Sequence, residues 1–406
     1  MRWLRAATAA LLVLTLSACD SKEDGADEAP VGERVVGYFA NWGVYARDYQ
    51  VKDVVTSGAA GRLTDLVYAF GATEEGRCRP GDAYADYQRR IAAAESVDGV
   101  GDDPGSPVKG NINQLRKIKR KYPRLKVLWS FGGWTGSKGF TAAAADPVGF
   151  AGSCAGVLDD PRWAGVFDGI DLDWEYPNAC GLTCDRSGRA AFGQVVAALR
   201  ARLGPDRLIT AAVSGDADPG GALDAADYAA AATDLDWVNA MTYDYFGAGG
   251  RPGPTAPHAP LTAYPGIPDA DDTVEASVAK LLRLGVPAGK IMLGVGFYGR
   301  GWSGVGSASP GSPASGRAPG TYEPGLEDYK VLKTSCPPVG TVGGTAYAFC
   351  RGQWWSYDTP ATIAGKLAWS TGQGLGGVFV WELSGDTDDG ELLAAVSAAL
   401  DRQNRR

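Results

Sequence analysis

Eight short apolar runs, separated by stretches with helical spacing, place the tightest limit on how this chain can fold. Near-continuous apolar runs that alternate with helices are typical of a parallel sheet covered on both faces. Eight such units predict a (β/α)8 TIM barrel. The runs are RVVGYFANW, LTDLVYAFG, LKVLWSFGGW, GVFDGIDLDWEY, LITAAVSG, DWVNAMTYDYFG, KIMLGVGFYGR and GGVFVWELSG.

The alternative fold is a doubly wound open sheet, which usually carries a glycine-rich phosphate-binding turn after its first strand. This chain has the aromatic segment GYFANWGVYA at that point, which weakens the alternative. We expect the barrel to occupy residues 33–402. A small α+β insertion is predicted between the seventh and eighth strands, at about residues 302–357, and it opens with a loop rich in Gly, Ser and Pro.

Residues 1–19 have the features of a lipoprotein export signal. A basic start precedes an apolar stretch that is too short for a permanent membrane span. The stretch ends in LSAC, which resembles the lipobox of bacterial lipoproteins, in which Cys19 becomes the lipidated first residue. The alternative is an ordinary secretory signal with an incidental cysteine. Residues 20–32 are acidic and predict a disordered tether, so we expect an exported, membrane-anchored cell-surface lipoprotein, with some release from the cell left open.

Six cysteines remain after Cys19, and an even number in an exported protein indicates disulfide bonds. Six cysteines allow many pairings. Our hypothesis joins the two closely spaced pairs, which leaves one distant pair, and free buried thiols are the alternative. The predicted disulfides are Cys78–Cys154, Cys180–Cys184 and Cys336–Cys350.

The net charge is -8, and the chain has no Lys- or Arg-rich run. This balance argues against a nucleic-acid partner. The single histidine, His258, lies in a Pro-rich loop, and we interpret it as structural. No phosphate-binding loop, Ser-His-Asp arrangement or cysteine-rich metal cluster is apparent, so we expect no metal and no cofactor. We also expect a monomer whose only membrane contact is the lipid anchor.

The fourth apolar run carries an unusual density of carboxylates, DGIDLDWEYP, at residues 168–177. Alternate residues of a strand point to the same side, so Asp171, Asp173 and Glu175 share one face. The intervening residues are apolar and should face the helices. The acids therefore point into the barrel and rise toward the C-terminal mouth, where barrel active sites lie, whereas Asp168 is expected at the lower end.

Neighbouring buried carboxylates share protons and titrate as a coupled set. Such coupling can hold the outermost group, Glu175, protonated near neutral pH, as a general acid must be. The alternative interpretations are a structural polar layer, whose groups hydrogen-bond one another inside the barrel, and an all-carboxylate cation site. The single histidine argues against a metal site, and we favour catalysis over both alternatives.

Several segments together carry a resemblance to a known family. DGIDLDWEYP resembles the DxxDxDxE signature of family 18 glycoside hydrolases, the chitinase family, and the whole chain is similar to its secreted actinobacterial members. The resemblance covers about residues 34–400, including the insertion. One departure is Gly296, where many members carry proline at a turn. The other matching segments are SFGGW (130–134), MTYD (241–244), GFYGRGW (296–302) and VFVWELSGD (378–386).

The resemblance implies a role for each matching residue. Glu175 matches the acid that protonates the glycosidic oxygen and then serves as base. Asp173 matches the acid that orients the substrate's N-acetyl group, and Asp171 matches the partner that shares its proton. Tyr243 and Asp244 match groups that hydrogen-bond the acetamido group and the sugar.

The resemblance also implies substrate assistance, in which the substrate's 2-acetamido oxygen attacks the anomeric carbon and forms an oxazolinium ion with overall retention. An ordinary retaining enzyme needs a second carboxylate about 5 Å from the acid. Asp173 points along the same strand rather than across the scissile bond, which agrees with substrate assistance. Asp173 and Tyr243 would then stabilise the developing charge.

Aromatic residues recur at the predicted strand ends and offer flat faces to sugar rings. Trp381 matches the floor beneath the sugar at the cleavage site, and the resemblance also favours a subsite at Trp134. For Tyr38 and Phe70, core packing is an equal alternative. Arg300 either binds sugar or pairs with an acid. The candidate substrate-binding residues are Tyr38, Phe70, Trp134, Met241, Asp244, Arg300 and Trp381.

Together these features predict an endo-acting chitinase that hydrolyses the β-1,4 linkages between N-acetylglucosamine units of chitin and its oligosaccharides. The insertion favours a deep groove for a linear polymer. One alternative is an endo-β-N-acetylglucosaminidase that acts on glycoprotein glycans with the same acids. The other is a lectin-like binding protein, which the presence of Glu175 argues against.

Overall fold

The computed structural model describes residues 34–249 and 253–403. The strands are β1 (Arg34–Ala40), β2 (Asp65–Gly71), β3 (Lys126–Gly132), β4 (Gly169–Asp173), β5 (Leu208–Val213), β6 (Trp237–Ala240), β7 (Ile291–Gly296), β8 (Tyr298–Ser303), β9 (Gly316–Arg317), β10 (Leu326–Asp328), β11 (Pro338–Val342), β12 (Thr345–Cys350), β13 (Gln353–Tyr357) and β14 (Gly377–Trp381). Eight of them close into a parallel barrel in the order β1-β14-β7-β6-β5-β4-β3-β2. The predicted (β/α)8 barrel is confirmed.

The helices begin at recognisable start signals. Asp146 caps α4 by accepting from Gly149 N–H, and a proline follows at the first helical position. Asp386 accepts from the Leu392 and Leu393 N–H groups at the start of the last helix. The helices are α1 (Val51–Thr56), α2 (Gly110–Lys121), α3 (Phe140–Ala145), α4 (Pro147–Leu158), α5 (Ala191–Leu203), α6 (Ala222–Ala225), α7 (Tyr228–Asp234), α8 (Val274–Arg283), α9 (Tyr329–Ser335), α10 (Pro360–Gly372) and α11 (Glu391–Gln403).

Strand β4 separates two buried layers. Ile170 and Leu172 point outward and belong to the large apolar cluster between the strands and the helices. Asp171 and Asp173 take the opposite face and are buried inside the barrel. The alternation of apolar and acidic residues therefore placed the carboxylates on the inner face, as the sequence predicted.

The insertion is a separate antiparallel sheet in the order β10-β8-β13-β12-β11, with β9 paired to β8. The sequence interpretation of KIMLGVGFYGR as one strand was wrong. The run breaks at the buried Phe297, between β7 in the barrel and β8 in the insertion. Both halves are apolar, so no local pattern marks the boundary, and the insertion sheet begins at Tyr298, before the predicted start at residue 302.

The described residues form three disulfides, with the pairings that the sequence predicted. Cys78–Cys154 joins the segment after β2 to α4, and Cys336–Cys350 joins the end of α9 to the end of β12. Cys180–Cys184 closes a short loop that follows β4. The first two bonds link segments that are distant in sequence or in different elements, and the third rigidifies a loop near the barrel mouth.

The expectations for the N-terminus lie outside the described residues. They are the export signal at residues 1–19, lipidation at Cys19 and the tether at residues 20–32. Within residues 34–249 and 253–403, none of the helices combines the length and the apolar character that a membrane span requires.

Candidate active site

The strand register brings polar residues of neighbouring strands to one level inside the barrel. Asp171 on β4 pairs with Ser130 on β3 and Thr210 on β5. Both hydroxyls donate to the Asp171 carboxylate at 2.6 Å. Tyr38 from β1 donates at 2.9 Å and Asn239 from β6 at 3.4 Å. Asp171 is thus a fully buried carboxylate held by donors from four other strands.

Asp173 lies on the same face of β4, nearer the mouth, and has a different environment. It is 5% exposed, and its Oδ1 has no hydrogen-bond partner among the residues that the structure describes. Burial raises the pKa of Asp173 well above its usual range, and the charges of Glu175 and Asp171 raise it further. Burial also raises the pKa of Asp171, although its hydrogen bonds oppose that rise. The carboxylates therefore favour a shared proton.

Glu175 follows the end of β4 and stays partly exposed at the mouth of the barrel. Burial raises the pKa of its carboxyl group to about 7; a hydrogen bond from Tyr176 opposes the rise, and the charge of Asp244 adds to it. A substantial fraction of Glu175 is therefore protonated at neutral pH. A partly exposed carboxylic acid with this pKa is suited to general acid catalysis.

A residue that the sequence motifs did not reveal fixes the backbone of Glu175. The Glu175 N–H donates to the hydroxyl of Ser137 at 2.9 Å. The same hydroxyl lies 2.9 Å from the carbonyl oxygen of Gly133 and 3.1 Å from that of Asp173. Ser137 is buried in a short turn after β3. Its only sequence signal was its position shortly after SFGGW, which does not predict a contact with the fourth strand.

Asp244 and Arg300 form a bidentate ion pair at the mouth of the barrel. Arg300 Nε donates to Asp244 Oδ1 at 2.7 Å, and Arg300 Nη2 donates to Oδ2 at 2.6 Å. Burial alone would raise the pKa of Asp244, but the Arg300 guanidinium and a contact with His258 hold it well below its usual range. Of the two alternatives for Arg300, the structure favours pairing with an acid.

Tyr243 lies beside this ion pair and packs against two aromatic rings. Its ring centre is 6.1 Å from that of Tyr298 and 5.9 Å from that of Phe379. Burial raises the pKa of Tyr243 well above its usual range, so the phenol remains a hydrogen-bond donor at any ordinary pH. Met241 is partly buried and packs against the cluster inside the barrel, as Tyr243 does.

Trp381, at the end of β14, lies at the centre of an aromatic group. Its ring is stacked on Phe70 at 5.7 Å and lies 6.2 Å from the ring of Trp42. Trp381 and Phe70 are partly exposed, and Trp42 is 41% exposed. Tyr38 differs from the expectation of a sugar contact, because it is 1% exposed and its hydroxyl binds Asp171. Tyr38 therefore holds the Asp171 carboxylate inside the barrel by a hydrogen bond.

A cleft of about 500 Å³ runs between the barrel mouth and the insertion. Arg47 joins the two walls: its Nη1 donates to both carboxylate oxygens of Asp328 at 2.7 and 2.6 Å, and its guanidinium lies 4.2 Å from the centre of the Tyr322 ring. The insertion is thereby held against the barrel beside Trp381. The lining residues include Trp42, Tyr45, Arg47, Tyr322, Trp381 and Glu382.

Trp134 lies in the connection after β3 and is 51% exposed. It contacts the short loop that the Cys180–Cys184 disulfide closes. A Cβ atom added to Gly181 would lie 3.2 Å from the Trp134 indole and 2.5 Å from the Glu175 carbonyl oxygen. The loop, the indole and the backbone of Glu175 therefore form one packed unit, and the exposed face of the indole is available for stacking.

A row of carboxylates at the C-terminal mouth of a parallel barrel is suited to acid–base catalysis, of which glycoside hydrolysis is one case. Comparison with known sequences agrees: the sequence profile described as Glycosyl hydrolases family 18 matches residues 34–386. The chain belongs to this family. The residues matched include all the barrel strands and the insertion.

Similar curated proteins include Chitinase C of Streptomyces lividans, which is 57% identical over 369 residues, 91% of this chain and 60% of that protein. Chitinase 63 of Streptomyces plicatus is 56% identical over 372 residues, 91% of this chain and 61% of that protein. The chain thus spans about three fifths of these two relatives. Among solved structures, the catalytic domain of the psychrophilic chitinase B from Arthrobacter TAD20 has a TM-score of 0.84 at 36% identity, and the match covers 91% of this chain and 96% of that chain.

Proposed function

We propose that this protein is a chitinase that hydrolyses internal β-1,4 linkages between N-acetylglucosamine units. The observation that carries the proposal is the row of Asp171, Asp173 and Glu175, which ends in a carboxylic acid whose pKa burial raises to about 7. The partly exposed indole of Trp381 provides an apolar surface beside this row. The names of the Streptomyces relatives support chitin as the substrate.

In the first step, Glu175 donates its proton to the glycosidic oxygen while the C1–O bond breaks. The 2-acetamido oxygen of the same sugar forms a bond to C1, which gives an oxazolinium ion, and the leaving chain departs with a free hydroxyl. Asp173 accepts from the acetamido N–H through Oδ1, which has no hydrogen-bond partner in the described part of the chain. The Tyr243 hydroxyl donates to the acetamido oxygen.

In the second step, the deprotonated Glu175 removes a proton from water, whose oxygen attacks C1. The acetamido oxygen leaves, and the product keeps the β configuration. Asp171 does not touch the substrate in this scheme. Burial favours a single proton between Asp171 and Asp173, so that Asp173 can gain or lose negative charge as the acetamido group does. The four donors to Asp171 stabilise its charged form and hold it in place.

Glu175→Gln provides the direct test of catalysis. Glutamine cannot donate the proton, so hydrolysis of chitin oligosaccharides should fall by about 10²–10⁴-fold while binding remains. A matched control is Glu74→Gln, because Glu74 is an exposed glutamate on a short turn and lies outside the site. Equal activity of the two variants would contradict the assignment of Glu175.

The substrate class is tested by product analysis on chitin oligosaccharides beside a high-mannose glycoprotein. We expect shorter N-acetylglucosamine oligosaccharides from internal cleavage of the former and no glycan release from the latter. Glycan release without chitin cleavage would identify an endo-β-N-acetylglucosaminidase instead. Binding of the oligosaccharides without cleavage of either substrate would identify a lectin-like protein.

Substrate assistance is tested by NMR of the fresh product and by turnover of fully deacetylated chitosan. The acetamido nucleophile requires an initial β-anomer and resistance of the deacetylated polymer. An initial α-anomer, or efficient cleavage of that polymer, would return the nucleophile's role to a protein carboxylate or to water.

We further propose that the protein is exported and held at the cell surface by lipid on Cys19, with residues 20–32 as the tether. The LSAC segment at the end of an apolar stretch supports the lipobox. A catalytic domain on an acidic tether would reach polymer outside the membrane as a monomer.

A further inference from the structure

The single histidine of the chain lies directly behind the Asp244–Arg300 ion pair. His258 is 0% exposed, and its Nδ1 lies 3.6 Å from Asp244 Oδ1. Neither ring nitrogen has a hydrogen-bond partner within bonding distance among the described residues. A buried polar group without a partner costs free energy. Asp244 Oδ1 is close enough that a small rotation of the imidazole brings it within hydrogen-bond distance of Nδ1.

The imidazole occupies a defined slot. Its centre lies 5.3 Å from the ring centre of Tyr298, and the Tyr298 ring lies 6.1 Å from that of Tyr243. A Cβ atom added to Gly296 would lie 3.2 Å from the imidazole Cε1 and 2.8 Å from the Tyr298 ring. The glycine at the end of β7 therefore leaves the space that both rings need.

The backbone around His258 is bound to three different elements. The His258 N–H donates to Ser356 Oγ on β13 at 3.1 Å, and the His258 carbonyl accepts from Tyr245 N–H, after β6, at 2.9 Å. The next carbonyl, of Ala259, accepts from Lys366 on α10 at 2.7 Å. The imidazole is thus held in place by the barrel, the insertion and the outer helix together, which is far more than a surface loop requires.

We propose that His258 is a positioning residue for Asp244. Its Nδ1–H donates to Asp244 Oδ1, which Arg300 Nε also contacts, so that Oδ1 is saturated and Oδ2 keeps a lone pair for the sugar. The inference rests on the proposed function, since it assigns Asp244 to substrate binding. The charged groups around the ring are Asp244 and, behind it, Arg300, with the buried Lys366–Asp358 pair below the Ala259 carbonyl.

Three variants separate positioning from packing. His258→Leu removes both ring nitrogens and should lower kcat/KM on a soluble chitin oligosaccharide by on the order of 10- to 100-fold, as expected for a misplaced substrate-binding group. His258→Asn carries an N–H donor close to the position of Nδ1 and should recover most of the loss. His258→Gln places its amide nearer the position of Nε2 and should recover little.

A double-mutant cycle with Asp244→Ala links the effect to the carboxylate. We expect His258→Leu to cost little once Asp244 is replaced. Melting temperatures of all the variants identify any that lose stability. Equal losses in the Leu and Asn variants, or additive losses in the cycle, would show that His258 only fills space and would overturn the proposal.

A second measurement does not depend on activity. Because the chain has one histidine, ¹⁵N-histidine labelling of the protein without a histidine tag gives two ring-nitrogen signals. We expect the Nδ1–H tautomer and a shift of its signal in Asp244→Asn, but no shift in Asp218→Asn, which changes an exposed acid. Ring-nitrogen signals that do not shift in Asp244→Asn would overturn the proposed contact. If the wild-type protein does not cleave chitin but the Nδ1 signal still shifts in Asp244→Asn, the proposed function is rejected and the contact between His258 and Asp244 stands.

Discussion

At the residue scale, three carboxylates of one strand differ because their surroundings differ. Asp171 is fully buried and receives four hydrogen bonds, so it is held in one orientation. One carboxylate oxygen of Asp173 has no hydrogen-bond partner within residues 34–249 and 253–403, so it is able to bind a ligand. Glu175 alone reaches the mouth, where it can donate a proton to a substrate. Identical chemical groups thus acquire separate roles through burial and hydrogen bonding.

The raised pKa of Glu175 predicts the alkaline limit of activity. Glu175 must be protonated to act as an acid, and burial raises its pKa from 4.5 to about 7. The acid form is therefore present below about pH 7 and is lost as the pH rises through that value, so kcat should fall there. The charge of Asp244 contributes to the rise, so the residual activity of Asp244→Asn should show its alkaline limb at lower pH. A limb at the same pH in both proteins would contradict this electrostatic link.

Ser137 is predicted to act through the backbone of Glu175. Ser137→Ala removes the acceptor of the Glu175 N–H and should cost about 1–3 kcal/mol of stability, since a buried donor is left unpaired. We expect kcat on oligosaccharides to fall with little change in KM, because the acid is displaced from the scissile bond.

Ser153→Ala is the matched control for that change. Within the part of the chain that the structure describes, the Ser153 hydroxyl, like that of Ser137, bonds only backbone groups. Its partners are the Cys78 N–H and the Phe150 carbonyl, and it lies on α4, away from the site. Loss of kcat in both variants would assign the effect of Ser137 to stability rather than to positioning.

At the scale of elements, two connections at the C-terminal ends of β3 and β4 form one side of the mouth. The first carries Trp134 and Ser137, and the second carries Glu175 and the disulfide-closed loop around Gly181. The loop packs on both the Trp134 indole and the Glu175 carbonyl. The same loop therefore positions the proposed stacking residue and the proposed proton donor. The insertion forms the opposite wall and is held there by Arg47.

Trp134→Ala is expected to harm cleavage of insoluble chitin more than cleavage of short oligosaccharides. An exposed indole contributes a stacking surface for a long chain, whereas a short substrate can bind through the subsites around Trp381. Initial rates on both substrates measure the difference. The control is Tyr84→Ala, because Tyr84 is a similarly exposed aromatic residue, at 55%, on a different connection that follows β2. Equal losses on the two substrates would assign Trp134 to packing.

At the scale of the whole molecule, barrel closure collects the site from distant parts of the chain. The donors to Asp171 come from β1, β3, β5 and β6, and the Asp244–Arg300 pair joins the segment after β6 to β8. Strands β1, β3, β5 and β6 also contribute apolar side chains to the core. The geometry of the site therefore depends on the same packing that stabilises the fold. The insertion adds the second wall of the cleft without interrupting the barrel order.

The proposed anchor is a property of the whole molecule and is tested in cells. Cys19→Ala should release or mislocalise the protein without abolishing catalysis, because the lipid anchors the chain and takes no part in the reaction. Fractionation of cells that express each form, with activity assayed in every fraction, provides the measurement. Equal release of the two forms into the medium would argue against lipidation.

The sequence by itself determined the elements and the face on which the acids lie. Both are local properties: apolar runs of strand length identify strands, and the two-residue period sends Asp171 and Asp173 inward while Leu172 faces the helices. The disulfide pairings also followed from spacing. The implied roles of Glu175 and its neighbours came from the resemblance to the family.

Only the tertiary structure decided which residues meet. Tyr38 lies under Asp171, Arg300 pairs with Asp244, and Ser137 holds the backbone of Glu175. Each contact depends on strand register or on the path of a connection, and neither of these can be predicted from the local sequence. The division of one apolar run into β7 and β8 escaped prediction for the same reason, because a strand chooses its sheet through distant hydrogen-bond partners.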